Sequence, residues 1–549
     1  MEQPIRGGVQ VKKRIIAVLM LVVMLLGACS GGNNSASDSG DSGDESKDGG
    51  TLIFARGADS LSLDAINVTD GESTRVTHNI FETLFKYDEN LELQPGLAKE
   101  YELGEDELTW TLKLREGVKF HDGTDFNAEA VVYNFERWMD PAHPEHDGEF
   151  TYYSFLYGGF KGDEDHKIEH VKAIDEYTVE IKLTEPTAPF ISYLAIPMFG
   201  IASPEAVQKY GDKFNENPVG TGPFKFESWS RNDKIQLSKN EDYYVEDIPH
   251  LDQLIFRVIP DNSSRFTALQ TGEVDMIDGL SPDDGGAVEA DGNLDLIKRP
   301  SFNIGYLAFN MEKEPFDDPK VRKALNYAIN KDSIIDAFYN GMAEKAVNPI
   351  PPSLWGYNED IEGYDYDPEK AKQLLAEAGL EDGFKTELWG MSNPRPYMPQ
   401  PLKIAEAIQS DLAEVGVELE IQTYEWATYL DKTSNGEHDM ALFGWTGVMA
   451  DPDNFLFPNL SKTNATKPAN NRAFYKSDEF TNLLLESRIT FDEEKRADLY
   501  KDAQEIFYDD APWALIGHTT PPLAKMSYVQ GYEAHPMNDD AFWNVYLTK

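Results

Sequence analysis

Side chains able to do chemistry are plentiful in this sequence, but few are spaced for it. Ten histidines occur. His143 and His146 flank Pro144-Glu145, and His166 and His170 stand four apart. Neither pair matches the HExxH helix, where two imidazoles share a face beside a general base, nor a Cys/His zinc pattern. Surface-loop histidines are the plainer reading. No GxSxG, P-loop or GxGxxG segment stands between a strand and a helix. Paired carboxylates carry no weight as a glycosidase signal in a chain with 97 Asp and Glu, where pairs arise unavoidably. The expectation is a protein without catalytic residues, metal ligands or cofactor.

One nucleophile stands apart. Cys29 is the single cysteine, so no intramolecular disulfide can form. Lys12, Lys13 and Arg14 precede an apolar run from Ile15 to Leu26, too short to span a bilayer as a helix of about 20 residues. A basic cluster, a short apolar stretch and small residues make a secretory signal. Leu26-Gly27-Ala28-Cys29 then resembles the bacterial lipobox, in which cleavage before the cysteine frees it for acylation. Several acyl chains anchor stably at about 0.8 kcal/mol per buried methylene. Residues 1–28 are expected to be the signal peptide. Residues 29–50, rich in Gly, Ser, Asn and Asp, should be the lipidated cysteine and a flexible tether.

The remaining chain must fold. The full length of 549 residues calls for two or more lobes, and 41% hydrophobic and 12% aromatic residues overall suffice to build them. The formal net charge of −48 disfavours nucleic acid as a partner and repels anionic headgroups. Leu108, Trp110, Leu112 and Leu114 alternate with polar residues, as do Tyr177, Val179, Ile181 and Leu183, which predicts strands with one buried face. Asp318-Pro319 and Asp367-Pro368 each predict a helix start, with Asp capping free N–H groups and Pro in the first turn. Val321, Ala324, Leu325 and Ala328 line one face of the first helix. Ala371, Leu374, Leu375 and Ala378 line the second, and Gly379 stops it. Ile404, Ala405, Ile408, Leu412 and Val415 mark a third helix ended by Gly416, and Val417, Leu419 and Ile421 alternate directly after it. Helix followed by strand points to an α/β lobe in the second half.

Three segments carry a resemblance to a known family. LTWTLKLREGVKFHDGTDFNAEAVVYNFER (Leu108 to Arg137), NPVGTGPFKF (Asn217 to Phe226) and GYLAFNMEKEPFDDPKVRKALNYAINKDSII (Gly305 to Ile335) resemble landmarks of the peptide/nickel-type, family 5 solute-binding proteins of ABC importers. The likeness runs from about Thr51 to the C-terminus. It is strongest to the dipeptide-binding branch in IPPSLWGYN (Ile350 to Asn358), YDPEKAKQLLAEAGL (Tyr366 to Leu380), PRPYMP (Pro394 to Pro399), TYEWATYL (Thr423 to Leu430) and GWTGVMADPDNF (Gly444 to Phe455).

The resemblance implies a two-lobe α/β periplasmic-binding-protein-like fold (type II, cluster C). Lobe I would comprise 51–82, 218–303 and 518–549, with a satellite domain over 83–217 inserted into it. Lobe III, over 304–517, would make most ligand contacts. The implied partners are a peptide, the permease subunits with their cytoplasmic ATPase, and the membrane through the lipid anchor, at its extracytoplasmic face. A modified-peptide or non-peptide ligand (glutathione, haem, a nickel complex) is the alternative, and a surface hydrolase a distant third.

Arginine suits a carboxylate because its planar fork donates two parallel hydrogen bonds. Arg395, held between Pro394 and Pro396, matches the family's carboxylate anchor; by residue type and spacing alone a surface arginine in a Pro-rich loop is the plainer reading. Tyr397, Trp426 and Trp445 are expected as pocket walls, where aromatic faces tolerate varied side chains. Trp355 and Tyr357 are expected in the core or hinge. The family's ammonium-pairing Asp falls at Val448, which can neither accept a hydrogen bond nor carry charge, so Asp451 is the candidate substitute.

Overall fold

The computed structural model describes residues 47–549; Cys29, the expected signal peptide and most of the expected tether lie outside the described residues. Three apolar cores organise the described chain, each built on its own sheet.

The first core covers a seven-stranded sheet drawn from three separated stretches of sequence. Its order is Leu294–Lys298, Pro522–Met526, Met276–Ile277, Thr51–Arg56, Gln253–Val258, Lys234–Lys239 and Phe224–Ser230. The central strand Thr51–Arg56 runs parallel to both neighbours, with Phe54 opposite Met276 and Thr51 opposite Gln253. The outer strands are antiparallel. Carboxyl ends of parallel strands leave a crevice where ligands bind in α/β sheets; here that end carries Arg56, Gly57 and Asp278.

The second core covers a four-stranded antiparallel sheet: Ala98–Leu103, Thr109–Leu114, Thr178–Leu183 and Ile168–Asp175. Trp110, Leu112 and Leu114 point inward, as do Val179, Ile181 and Leu183. This core ends near Ile201. Ala202, Ala206, Val207 and Phe214, in the stretch expected to close the satellite domain, pack instead into the core of the seven-stranded sheet.

The third and largest core covers a six-stranded mixed sheet in the order Ala343–Lys345, Trp513–Thr519, Asn303–Phe309, Met440–Thr446, Phe384–Met391 and Val417–Tyr424. Strands Asn303–Phe309 and Trp513–Thr519 are buried along their whole length, as central strands covered on both faces must be. The helices pack where the capping signals put them. Asp318 accepts from the backbone of Lys320 at the start of Pro319–Ala328, and Asp367 from Lys370 at the start of Pro368–Glu377. Helix Pro401–Glu414 buries Ile404, Ala405, Ile408 and Leu412. Gly416, at φ +87°, then reverses the chain into Val417–Tyr424, which runs parallel to Phe384–Met391.

The seven- and six-stranded bodies are joined where the chain crosses between them twice, at 299–303 and 519–522, side by side. Arg299 N–H donates to the Pro521 carbonyl (3.1 Å). The buried Asn303 side chain clamps Thr519 both ways: its amide donates to the Thr519 carbonyl (2.9 Å) and its oxygen accepts from the Thr519 N–H (2.9 Å). His518, buried with its imidazole pKa pushed down to about 4 by that burial, makes a 2.7 Å bond to the Asn303 carbonyl.

The paired histidines do other work than a metal would require. His166 is buried against the Tyr153 hydroxyl (2.9 Å) rather than lying on a surface loop, and His170 meets Glu180 (3.0 Å) on adjacent strands. Among the described residues no group of three or more His, Cys, Asp or Glu is arranged to hold a metal ion, and no helix is long and apolar enough to cross a membrane.

Candidate ligand-binding site

A cavity of about 620 Å³ opens between the seven- and six-stranded bodies, against the two crossing segments. That volume lies within the range of small-molecule and peptide pockets. Asn340 of one body donates to Asp283 of the other at its rim.

The six-stranded body contributes one charged side chain to the lining, Arg395. Local geometry explains its placement. Arg395 and Met398 exchange two backbone hydrogen bonds (3.0 and 2.9 Å), pinching Arg395-Pro396-Tyr397-Met398 into a tight turn. Proline on both sides of Arg395 narrows the backbone further. The turn is pinned from below. The Tyr397 ring lies on Gly444, where any Cβ would collide with it, and the Tyr397 carbonyl fills the space beside Gly305. Burial pushes the Tyr397 phenol up to about 12, so it stays neutral. The Thr519 hydroxyl sits 2.8 Å from the Pro396 carbonyl, tying the turn to a crossing segment. The Arg395 guanidinium lies 3.8 Å over the Trp426 ring, which stacks in turn on Tyr429. Arg395 Nε is buried and has no hydrogen-bond partner.

The seven-stranded body presents a denser wall. Arg75, almost wholly buried, pairs with Asp540 (2.7 Å), Asp278 (2.8 Å) and Glu72 (3.0 Å). Arg299 pairs with Asp540 (2.7 Å), and Arg56 with Asp59 (3.3 Å). Burial alone would raise Asp540, but Arg299 and Arg75 hold it down at about 2. Glu72 goes the other way, pushed up to about 7 by burial and then by Asp278.

Of the five expected contact residues, Arg395 lines the cavity. Trp426 forms its backing. Tyr397 supports the turn from the core side. Trp445 is half-buried on the strand Met440–Thr446, its indole N–H 3.4 Å from Asn454. Asp451 is buried away from the cavity, bound to Arg496 (2.9 Å) and accepting from the Tyr500 hydroxyl (3.2 Å). Its acceptors are committed to holding the loop after Met440–Thr446. Val448 packs against the core of the four-stranded sheet, and Met449 is buried within it; an apolar residue fits that contact. Trp355 packs on Tyr500 and donates to the Ala450 carbonyl (3.0 Å). Among the lining residues that sequence reasoning missed are Glu72, Arg75 and Asp278. Single acids and arginines in so charged a chain give no local signal; Glu72 and Arg75 share the helix Gly71–Thr77, and the tertiary fold alone brings Asp278 to Arg75.

Comparison with known proteins agrees with this architecture. The model of bacterial extracellular solute-binding proteins, family 5 (middle region) matches residues 92–467. The dipeptide-binding protein of Escherichia coli (strain K12) is 41% identical over 83% of this chain and 86% of its own length. Heme-binding protein A of Haemophilus influenzae is 36% identical over 91% and 93%. Among solved structures, the periplasmic binding protein DppA from Helicobacter pylori, in complex with the peptide STSA, superposes with a TM-score of 0.79 at 38% identity, covering 91% of this chain and 99% of that one. The dipeptide-binding protein from Pseudoalteromonas sp. SM9913, in complex with Met-Leu, gives 0.80 at 30%, covering 91% and 100%. The chain therefore belongs to the bacterial extracellular solute-binding proteins of family 5.

Proposed function

We propose that this protein captures short peptides between its seven- and six-stranded bodies, which act as closing lobes, and delivers them to an ABC importer. The observation that carries the reading is Arg395: a guanidinium paired with no carboxylate among the described residues, fixed in a rigid turn and lining a 620 Å³ cavity. A carboxylate enclosed there finds the fork it needs, and enclosure without such a partner would be costly. The paired crossing segments form the hinge, a known device for closing lobes on a ligand. Relatives named for dipeptides and peptides support the same substrate class.

Acylation of Cys29 would hold the protein at the extracytoplasmic face of the membrane. Mass spectrometry of the mature N-terminus reads this directly: an acylated Cys29 supports it, and an unmodified chain retaining residues 1–28 rejects it.

A second reading, a modified peptide such as glutathione or a haem, is favoured by one observation: Val448 stands where the resembling family has its ammonium-pairing acid. Isothermal titration of the ligand-free protein with Met-Leu, Ser-Thr-Ser-Ala, glutathione and haem separates the readings. Binding of Met-Leu or Ser-Thr-Ser-Ala that is lost in Arg395→Ala supports peptide capture. Binding of haem or glutathione alone would replace it.

A further inference from the structure

The two cavity walls differ in which polar atoms remain unpaired. The guanidiniums that line the cavity on the seven-stranded body are spent; Arg56, whose Nε is also buried without a partner, does not line it. Arg75 serves three carboxylates, and Arg299 serves Asp540 and the His535 carbonyl (2.5 Å). Arg265 donates to the carbonyls of Ile259 (2.6 Å) and Asp278 (3.2 Å) and to the Asn262 side chain (2.6 Å). A ligand carboxylate finds no vacant fork there. The acceptors are less fully used. Asp278 meets Arg75 through Oδ2, while its Oδ1 is buried without a hydrogen-bond partner. Glu72 meets Arg75 (3.0 Å) and Arg56 (3.8 Å) through the same oxygen, Oε2. Both side chains line the cavity. Burial and the neighbouring Asp278 oppose ionisation of Glu72, and Arg75 and Arg56 only partly offset them. On the facing wall the unpaired atom is a donor, Arg395 Nε.

From this asymmetry, and resting on the peptide reading above, we propose that the ligand's ammonium is bound by Asp278 and Glu72 on the seven-stranded body while its carboxylate is bound by Arg395 on the six-stranded body. Val448 leaves the six-stranded body without an acid at the resembling family's position, and the opposite wall supplies one. The peptide is then an ionic bridge between the two bodies. Among the residues that line the cavity, neither wall alone offers both charges in unpaired form, so full affinity requires both walls in contact with one molecule.

The test is isothermal titration of the full-length chain in detergent, stripped of ligand by unfolding and refolding. The probes are Met-Leu, Ser-Thr-Ser-Ala and their N-acetylated forms. Acetylation is expected to weaken binding to the native protein at least about 30-fold, the lower bound for stranding one member of a desolvated charge pair. Asp278→Asn and Glu72→Gln should weaken the free-amine peptides by a similar factor, leave the acetylated peptides unchanged, and so erase the discrimination. The acetylated peptides are the internal control for folding. Glu72→Gln, at the more exposed edge of the network, remains available if Asp278→Asn does not fold. Equal binding of free and acetylated peptides by the native protein overturns the proposal, and so does discrimination that survives in both variants; in either case peptide capture itself stands. If neither peptide binds in any form, peptide capture fails and the ammonium site falls with it.

Discussion

The two faces of the cavity are built by opposite strategies. On the seven-stranded body, charges are fixed by one another: Arg75 holds Asp278, Glu72 and Asp540 within 3.0 Å, and Asp540 is shared with Arg299. On the six-stranded body a single charge is fixed by the backbone, in a turn held by two mutual hydrogen bonds and by the Tyr397 ring on Gly444. The first wall joins segments more than 200 residues apart and belongs to the fold. The second can lose its charged group with little effect on the fold. Removing one guanidinium should therefore cost stability on one side and affinity on the other.

The largest expected effect is on the first wall. Arg75→Ala takes a cation from three carboxylates, one of them, Asp540, fully buried, and should destabilise the protein by about 3–5 kcal/mol in denaturant titration. Arg395→Ala should cost about 2–5 kcal/mol of peptide binding by calorimetry, while its melting temperature stays close to that of the native chain. Equal stability losses in the two variants would erase the contrast. Gly444→Ala tests the backbone device without touching a charge. The added methyl collides with Tyr397, an overpacking worth about 1–3 kcal/mol of stability, and peptide affinity should fall because the turn beneath Arg395 is displaced.

The smallest effect is one of pH. Glu72 titrates near 7 in the folded chain, against an ordinary value of 4.5. A raised carboxyl contributes its stability in full below the unfolded value and loses it as pH rises through the folded one. The window thus runs from about 4.5 to 7. Glu72→Gln removes the titration, so the variant's melting temperature relative to the native chain should climb between pH 5 and pH 8. A flat difference across that window would show that the carboxyl is not strained.

What was legible in the sequence follows the range of the interactions. The helix starts at Asp318-Pro319 and Asp367-Pro368 could be read because a cap and the groups it satisfies lie within three residues of one another. The strand at Trp110 to Leu114 could be read because a period of two is local. The position of Arg395 came from the resemblance, not from spacing. Asp451 looked available because its partner Arg496 lies 45 residues on, with nothing nearby to announce the pair. Tyr397 and Arg395, two apart in a tight turn, face different sides, one the core and one the cavity. The acids at 72 and 278 stand 206 positions apart, one on the helix Gly71–Thr77 and one just after the strand Met276–Ile277, and meet through Arg75.

The double crossing at 299–303 and 519–522 has a consequence for recognition from outside. One strand between two bodies would allow twisting as well as bending. Two adjacent strands, locked by Asn303 and Thr519, allow bending but oppose torsion and shear, as a door hung on two pins swings in one plane. Every cargo small enough to be enclosed would then be carried in the same outer silhouette. A downstream partner need read only whether the door is shut, never what is behind it.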